Sequence, residues 1–508
     1  MLNFTPALRP WFARIVRANH SCFNRDNQRH TQLRVLRQLL RRAASTEIGC
    51  QYGFRAIKDY DSYLRAVPVI TYPDCRDRIL RMVAGESNVM WPGRCRRFAQ
   101  SSGTSDGKSK YIPVTDDSLR HNHYYGGAAV VAHYLDLYRD SRLFAGKSFI
   151  LGGSFANELK GLDAGVYVGD LSANLIDNIN PVANLVRVPS KHIALMADWN
   201  KKLPALIEAS LKEDITNISG VPSWFLTVLR GVINRAGAST IHDVWPNLEV
   251  FFHGGISFEP YREQYRAITD PARMHYLETY NASEGFFAVQ DSPEHKSMLL
   301  LLDAGIFYEF IPLDSLDDPH PRALGAWEVE PGRTYAMIIS SCNGLWRYEI
   351  GDTVRVDTVE PLRITIAGRT KSFINAFGEE LMVYNAEAAL AETCRLTGAS
   401  VLNYTVAPVY ADGGRRGRHQ WLIEWDSRPH DIEAFADELD RQLQRQNSDY
   451  QAKRCDGIFL DRLTITDAAS GLFDRWLAST GKLGGQRKVP RLSNSRHIME
   501  QMLSLQNI

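Results

Sequence analysis

Residues 98–115 read Phe-Ala-Gln-Ser-Ser-Gly-Thr-Ser-Asp-Gly-Lys-Ser-Lys-Tyr-Ile-Pro-Val-Thr. Ser101, Ser102, Thr104, Ser105 and Ser109 offer hydroxyls, and Lys108 and Lys110 offer positive charge. Gly103 and Gly107 permit turns that aim backbone N–H groups inward. Such a run can hold a polyphosphate, although a solvated Ser/Gly surface loop has the same composition. A Walker A loop is excluded by spacing. It needs four residues between its first glycine and Gly-Lys-Ser/Thr, and Gly103 to Gly107 encloses only Thr104, Ser105 and Asp106.

Three more stretches place polar groups beside glycines. Phe252-His253-Gly254-Gly255 and Tyr280-Asn281-Ala282-Ser283-Glu284-Gly285 each follow an apolar run, and Tyr348-Glu349-Ile350-Gly351-Asp352 ends on a carboxylate. Each has a plain structural alternative. Glu284 could cap a helix, Asp352 could be a turn residue and His253 a core histidine. Trp346 and Trp327 read as core. Near the C-terminus, Gly484-Gly485-Gln486-Arg487-Lys488-Val489-Pro490-Arg491 reads as a shaped, exposed basic loop.

The elements that must carry these residues mix strands with helices. Apolar flanks make 98–115 a strand-loop-strand unit. Thr115 caps a helix expected to run towards Tyr138, with Asp116 and Asp117 at its positive end. Phe149–Ser154, Leu248–Gly255 and Met274–Tyr280 read as strands, residues 190–214 as helix, and a helix starts at Val221-Pro222. Short strands fill 297–366 and form a β subdomain. The texture changes after Ala367-Gly368-Arg369. There follow a helix at Tyr384–Leu396, strands at Val401–Tyr410 and His419–Asp426, a helix at Asp431–Asn447 and a strand at Ile458–Thr466. The expected architecture is α/β. A large N-terminal domain spans 1–367 and a small α+β domain of about 140 residues spans 368–508.

Composition excludes several classes. With 44% apolar and 23% charged residues, the 508-residue chain is an ordinary globular protein. A net charge of +1 gives no electrostatic argument for nucleic acid or a membrane surface as partner. Seven scattered cysteines form no Cys-x-x-Cys pair, and with no secretory signal the expected setting is the cytoplasm. Residues 1–46 hold nine arginines and one acid. That pattern resembles a transit peptide, but Leu33, Leu36, Leu39 and Leu40 at helical spacing make a helical cap the better reading.

The four motifs stand in one order: Ser101-Ser102-Gly103-Thr104-Ser105, Tyr280-Asn281-Ala282-Ser283-Glu284, Tyr348-Glu349-Ile350-Gly351-Asp352 and Gln486-Arg487-Lys488-Val489-Pro490-Arg491. In that order they resemble the Gretchen Hagen family, the auxin-responsive acyl-acid amido synthetases of plants, and especially its bacterial branch. The resemblance implies a fold similar to firefly-luciferase-like adenylating enzymes, with a mobile C-terminal lid. It implies that ATP and a carboxylic acid give an acyl-adenylate and pyrophosphate. An amine, usually of an amino acid, then displaces AMP.

Site roles follow from the resemblance. Ser101, Ser102, Gly103, Thr104, Ser105 and Lys110 would neutralise phosphate charge. Ser283 would join the nucleotide-binding residues, and Glu284 beside it would hold Mg²⁺, a hard cation that prefers oxygen ligands. Tyr280 and Gly254-Gly255 would flank the adenine, and Asp352 would accept from the ribose hydroxyls. Arg369 and Lys371, at the pivot where the texture changes, would bind the nucleotide, and Lys488 would come from the small domain for adenylation. Tyr124, Tyr125, Tyr167, Trp224 and His253 are acyl-pocket candidates by position, each equally well read as core. Two other functions compete: transfer of the acyl group to a thiol such as coenzyme A, and a nucleotide-binding regulator without catalysis.

Overall fold

The computed structural model describes residues 3–506 other than 102–109, 158, 160, 161, 163, 164, 256, 257, 259, 260, 317, 319, 320, 370–372, 375, 377, 378, 380, 411–416, 455–459 and 481–488. Two compact units emerge. One comprises Met1–Ile256 and Ile268–Ile366, the other Ser257–Ala267 and Ala367–Ile508. The short stretch Ser257–Ala267, contiguous in sequence with the large unit, is grouped with the small one. Tyr261 Oη donates to Leu402 O (3.2 Å) and Gln264 Nε2 to Val401 O (3.4 Å).

Among the described residues, fifteen strands build the large unit. They are β1 (Arg97–Ser101), β2 (Lys110–Pro113), β3 (Lys147–Ile150), β4 (Tyr167–Gly169), β5 (Arg187–Val188), β6 (Ile215–Gly220), β7 (Val250–Gly254) and β8 (His275–Ala282). They continue with β9 (Gly285–Val289), β10 (Met298–Leu300), β11 (Ile306–Pro312), β12 (Leu324–Gly325), β13 (Thr334–Ser341), β14 (Tyr348–Val359) and β15 (Leu362–Arg369). Strands β2-β1-β4 form a small sheet, and the other twelve form one sheet in the order β12-β11-β13-β14-β15-β10-β9-β8-β7-β6-β3-β5. From β5 to β8 neighbours run parallel, and at β8–β9 the pairing turns antiparallel. The strands of 297–366 are therefore the antiparallel half of this same sheet.

That sheet cannot be flat. Strand β14 lies four places from β8, about 19 Å at the usual spacing of about 4.8 Å. Yet Tyr280 Oη on β8 donates to Asp352 Oδ2 on β14 at 2.8 Å. The antiparallel half must curl back over β8. Its inner face is one apolar cluster that includes Tyr280, Phe287, Tyr308, Met337, Tyr348 and Ile364.

Two helices support this half. Helix α1 spans Thr5–His20 and α2 spans Arg25–Ala43. Asn24 caps α2 by accepting from Asn27 N (2.9 Å). The α2 residues buried at helical spacing include Gln28, Gln32, Val35, Leu36, Leu39 and Leu40, as the leucine pattern requires. Gln32 pins α2 to the sheet. Its Nε2 donates to Leu302 O and Ile306 O, and its Oε1 accepts from Tyr308 N.

A buried charge network sets the start of β14. Arg347 adopts φ +42°, a left-handed conformation unusual for a residue with a side chain. Its Nε reaches both carboxylate oxygens of Glu309 (3.1 and 3.0 Å), and its Nη1 donates to Val67 O (2.8 Å). Tyr60 Oη donates to the same carboxylate. Burial pushes the Glu309 carboxyl and the Tyr60 phenol up, and the Arg347 guanidinium opposes both shifts. The proline-punctuated stretch 67–70 joins here, with Ile70 N donating to Arg347 O and Glu349 N to Ile70 O.

In the small unit, β16 (Phe373–Ile374) pairs with β17 (Leu381–Met382), and β18 (Ser400–Val409), β19 (Arg418–Ser427) and β20 (Thr464–Asp467) form a second sheet. Helices Val383–Thr397 and Ile432–Gln446 accompany this sheet, and Leu390, Trp421, Phe435 and Leu439 share one core. Gly398 (φ +71°) stops the first helix. Asp431 caps the second by accepting from Glu433 N and Ala434 N. The last strand is shorter than the stretch 458–466 indicates. Among the described residues no helix is long and apolar enough to cross a membrane.

Removing one partner of a fully buried ion pair leaves an uncompensated charge. Arg347→Met should therefore destabilise the large unit by about 3–5 kcal/mol. Arg347→Met with Glu309→Leu should recover most of that loss. Thermal unfolding of both variants checks it, and equal losses in the two would show that the charge was not the cause.

Candidate active site

Strands β3, β6, β7 and β8 are parallel, so their carboxyl ends lie at one edge of the sheet, where open α/β sheets bind ligands. On β7, Gly254 faces Thr279 of β8 in register. A Cβ at Gly254 would stand 2.4 Å from Thr279 O and 2.6 Å from Thr279 Oγ1, so only glycine fits. Gly255 follows at φ +82° and turns the chain off the edge. His253 is buried, paired in register with Glu278, and its ring lies 5.4 Å from that of Phe251.

Strand β8 runs through Asn281 and Ala282, and Ser283-Glu284 form the two-residue turn into β9. Glu284 thus occupies a tight hairpin rather than a helix start, which corrects the capping alternative. It is buried, at 7% exposure. Two asparagines hold the turn. Asn343 Nδ2 donates to Glu284 O (2.9 Å). Asn122 Nδ2 donates to Phe286 O (2.9 Å) and its Oδ1 accepts from Phe286 N (2.7 Å). Sequence reasoning missed both. Asn343-Gly344 is a turn signal between two strand patterns. Asn122 has no comparable signal, because it lies in a π-turn, Leu119–His123, that interrupts the helix expected from Thr115. The Thr115 cap itself is present, with Ser118 N donating to Thr115 Oγ1 (2.9 Å).

Tyr280 and Asp352 are brought together by their 2.8 Å hydrogen bond. Tyr280 is buried and its ring lies 4.8 Å from that of Phe287. Asp352 reaches it through a bulge. Thr353 pairs with Ala336 and Glu349 with Ile338, so residues 350, 351 and 352 face Met337 alone. Gly351 adopts φ +85° there. A bulge of this kind bends a strand and re-aims a side chain.

Strands β1 and β2 pair antiparallel, with Ser101 opposite Lys110, so the serine-rich run joins the ends of a hairpin. Lys110 Nζ sits 5.7 Å from the centre of the Tyr72 ring, whose hydroxyl accepts from Tyr111 N. Ser102, Gly103, Thr104, Ser105, Lys371 and Lys488 lie outside the described residues. Of Arg369 only the backbone is described, and it ends β15.

The acyl-pocket candidates separate. Tyr124 packs on the cluster that contains Tyr280, and its hydroxyl donates to Leu175 O (2.9 Å). Tyr125, one residue on, packs instead on the cluster of α1. Its hydroxyl donates to Asp303 Oδ2 (2.8 Å) and accepts from Asn19 Nδ2. Tyr125 thus packs on a different cluster from that of Tyr280. Tyr167 is half exposed beside Phe155, and Trp224 packs edge-on against Trp199 at 4.5 Å. The structure does not gather these two with Tyr280. In the small unit Arg491, the last residue of the C-terminal basic motif, is engaged within that unit. Its guanidinium stacks on Tyr404 (4.7 Å), and its Nη1 donates to Tyr404 O. Among the described residues no group of three or more His, Cys, Asp or Glu could hold a metal.

The turn after β3 has its own support, which sequence reasoning also missed. Lys202 is buried, and its Nζ donates to Gly152 O (2.6 Å). Asp170 Oδ2 accepts from Ser154 N (2.8 Å). A Cβ at Gly153 would stand 2.1 Å from Asp170 Oδ2.

Solved structures share this fold. An acyl acid amido synthetase, AtGH3.15 in complex with 2,4-DB, superposes with a TM-score of 0.78 over 97% of this chain and 95% of its own, at 16% identity. A 2-hydroxyisobutyryl-CoA ligase in the postadenylation state superposes with a TM-score of 0.60 over 95% and 92%, at 11% identity. The chain thus has the fold of adenylate-forming enzymes. The GH3 family N-terminal domain matches residues 24–274, the central domain 299–369 and the C-terminal domain 384–497, and the chain belongs to the GH3 family. Among curated relatives, the indole-3-acetic acid-amido synthetase GH3.4 of Arabidopsis thaliana is 23% identical over 93% of this chain and 91% of its own length.

Burial pushes the Lys202 ammonium down to about 8, from the 10.5 of a free side chain. Between those values the unfolded chain holds a proton that the folded chain has released. Stability therefore rises with pH across that window and levels off on either side. The rise of the thermal midpoint between pH 8 and 10.5, relative to neighbouring groups, should disappear in Lys202→Met. An unchanged slope in that variant would assign the rise to other groups.

Proposed function

We propose that this chain is an ATP-dependent acyl-acid amido synthetase. A carboxylate oxygen of a small organic acid attacks the α-phosphorus of ATP, and the bond to pyrophosphate breaks. An amine, most simply that of an amino acid, then attacks the acyl carbon of the mixed anhydride. It loses a proton, and AMP departs with the bonding electron pair.

The observation that carries this reading is the Tyr280–Asp352 pair at the carboxyl edge of the parallel strands, inside a chain matched by all three GH3 domains. Relatives named as an indole-3-acetic acid-amido synthetase and a jasmonoyl–L-amino acid synthetase support the amide over a thioester. The Gly254-Gly255 turn presents bare backbone at the strand end, which suits the flat adenine ring assigned to it. Asp352 accepts from the ribose hydroxyls, with Tyr280 fixing its carboxylate. The hydroxyls, N–H groups and lysines of 101–110 take the phosphates. Free thiols at Cys22, Cys75, Cys95 and Cys342 agree with a cytoplasmic setting.

A buried carboxylate in a tight turn suits Mg²⁺. That ion keeps waters and substrate phosphates as most of its ligands. Glu284 is the residue that would hold it, and the ion would supply neutralisation of phosphate charge. Lys488 is the cation the small unit contributes to the first step, with Gly368, Arg369 and Lys371 at the pivot of a lid comprising 368–508. A distal lysine that acts on closure contributes to the transition state and little to ground-state binding.

ATP–pyrophosphate exchange against a panel of carboxylic acids tests the first step, and product masses with amino acids or coenzyme A test the second. Lys488→Ala should lower exchange by about a hundredfold or more, in the range for losing a transition-state donor, while the ATP Kd stays within about threefold. Asp352→Ala should instead weaken ATP binding. Exchange at the wild-type rate in Lys488→Ala, or normal ATP binding in Asp352→Ala, would remove the corresponding role. Lack of exchange with every acid of the panel would favour the regulator.

A further inference from the structure

A cavity of about 570 Å³ opens between α2, the segment Ile57–Leu64 and the segment Pro321–Glu328. Small-molecule sites run from about 300 to 1,000 Å³. Its walls carry apolar groups from all three segments: Leu33, Leu36 and Leu40, then Ile57 and Leu64, then Trp327. The Trp327 ring is fixed edge-on against Tyr60, at 5.4 Å between centroids.

The charged groups around these walls are unbalanced. Arg29 and Arg37 lie two turns apart on α2, on either side of Leu33, and Lys58 and Arg322 stand on the facing segments. Three acids line the cavity against five cations, and one of them, Glu328, pairs with Arg322 at 3.5 Å. Asp59 caps a helix by accepting from Ser62 N (2.8 Å), and Glu328 accepts from Gly325 N (2.8 Å). Asp61 is the third. Neither Arg29, Arg37 nor Lys58 has a carboxylate within ion-pair distance among the described residues. Arg347 also lines the cavity at 5% exposure. Its Nε and Nη1 are taken by Glu309, Val67 and Leu64, which leaves Nη2 without a partner among the described contacts.

Like charges around one cavity repel, and an anion bound among them relieves that repulsion. The local excess is built into the chain. Residues 1–46 hold nine arginines and one acid, while the whole chain carries only +1. We propose that this cavity is a binding site for an amphipathic organic anion, one with an apolar body of the size of one or two aromatic rings and a carboxylate, sulfonate or phosphate head. The body lies on Leu33, Leu36, Ile57 and Trp327, and the head meets Arg29, Arg37 and Lys58. The site is separate from the Tyr280–Asp352 pair and needs none of its residues.

The test uses the full chain and two fluorescent probes of one shape. These are 8-anilinonaphthalene-1-sulfonate, which carries the anionic head, and N-phenyl-1-naphthylamine, which lacks it. The sulfonate should bind saturably at one site. Arg29→Glu with Arg37→Glu should weaken it by about tenfold or more, while the uncharged probe stays within about twofold. Both arginines are exposed, so the fold is expected to survive. Lys58→Glu, on a different segment, provides a second variant with the same expected pattern. Unchanged sulfonate binding in both variants would overturn the proposal. So would an equal loss of both probes, because the cavity would then be recognising bulk and not charge.

Discussion

The hydrogen bond from Tyr280 to Asp352 is short, and its consequence is large. It joins strands four places apart in one sheet. No flat or gently twisted sheet allows that contact, so the antiparallel half is required to curl over the end of the parallel half. Hydrogen bonding supplies little of the energy, since one such bond contributes about 1 kcal/mol. The apolar cluster enclosed by the curl supplies far more. It contains Tyr280, Phe287, Tyr308, Met337, Tyr348 and Ile364. The hydrogen bond selects which polar groups meet at the rim of that cluster.

Two local features make the meeting possible, and both are costly in isolation. Arg347 is held at positive φ, and Gly351 opens a bulge four residues later. The Arg347 conformation is sustained by its buried carboxylate partner and by the carbonyls of 64 and 67, far away in sequence. Irregular backbone of this kind persists where surrounding structure over-determines it. Here the surroundings are Glu309 on β11, Tyr60, and the strand-like stretch ending at Ile70. The position of Asp352 is therefore set by residues that take no part in binding.

Much of this was legible in the sequence. The strands leading into Gly254-Gly255 and into Glu284 stand where their apolar runs place them, because a buried parallel strand reads as a continuous apolar segment. The α2 leucines, the Thr115 cap and the Gly398 stop are local signals with local causes. What escaped was non-local. In the π-turn at Leu119–His123, Asn122 satisfies the backbone of Phe286 on β9. Nothing within a helix-length window encodes that. Tyr125 and Tyr124 are indistinguishable by composition, yet the helix turns one towards Tyr280 and the other towards Asp303. The strands of 297–366 showed their alternation but not their membership of the main sheet, since pairing partners are not a property of single strands.

The distribution of glycines makes the same point from the other side. Gly254 stands against a neighbouring backbone, Gly153 against a carboxylate, and Gly351 in a bulge. The first two exclude any Cβ by contact and the third by conformation, and sequence alone cannot separate these reasons. All three nevertheless lie at strand ends or irregularities beside a polar group: His253, Ser154 and Asp352. A strand interior supplies side chains at a fixed period of two, and that period aims them only up or down. Groups needed at other angles must be placed where the period is broken, and glycine is the residue that breaks it at least steric cost. The clustering of glycine with polar residues at strand ends is therefore the part of a binding edge that a sequence can disclose. The curl that turns those edges towards one another has to be seen in three dimensions.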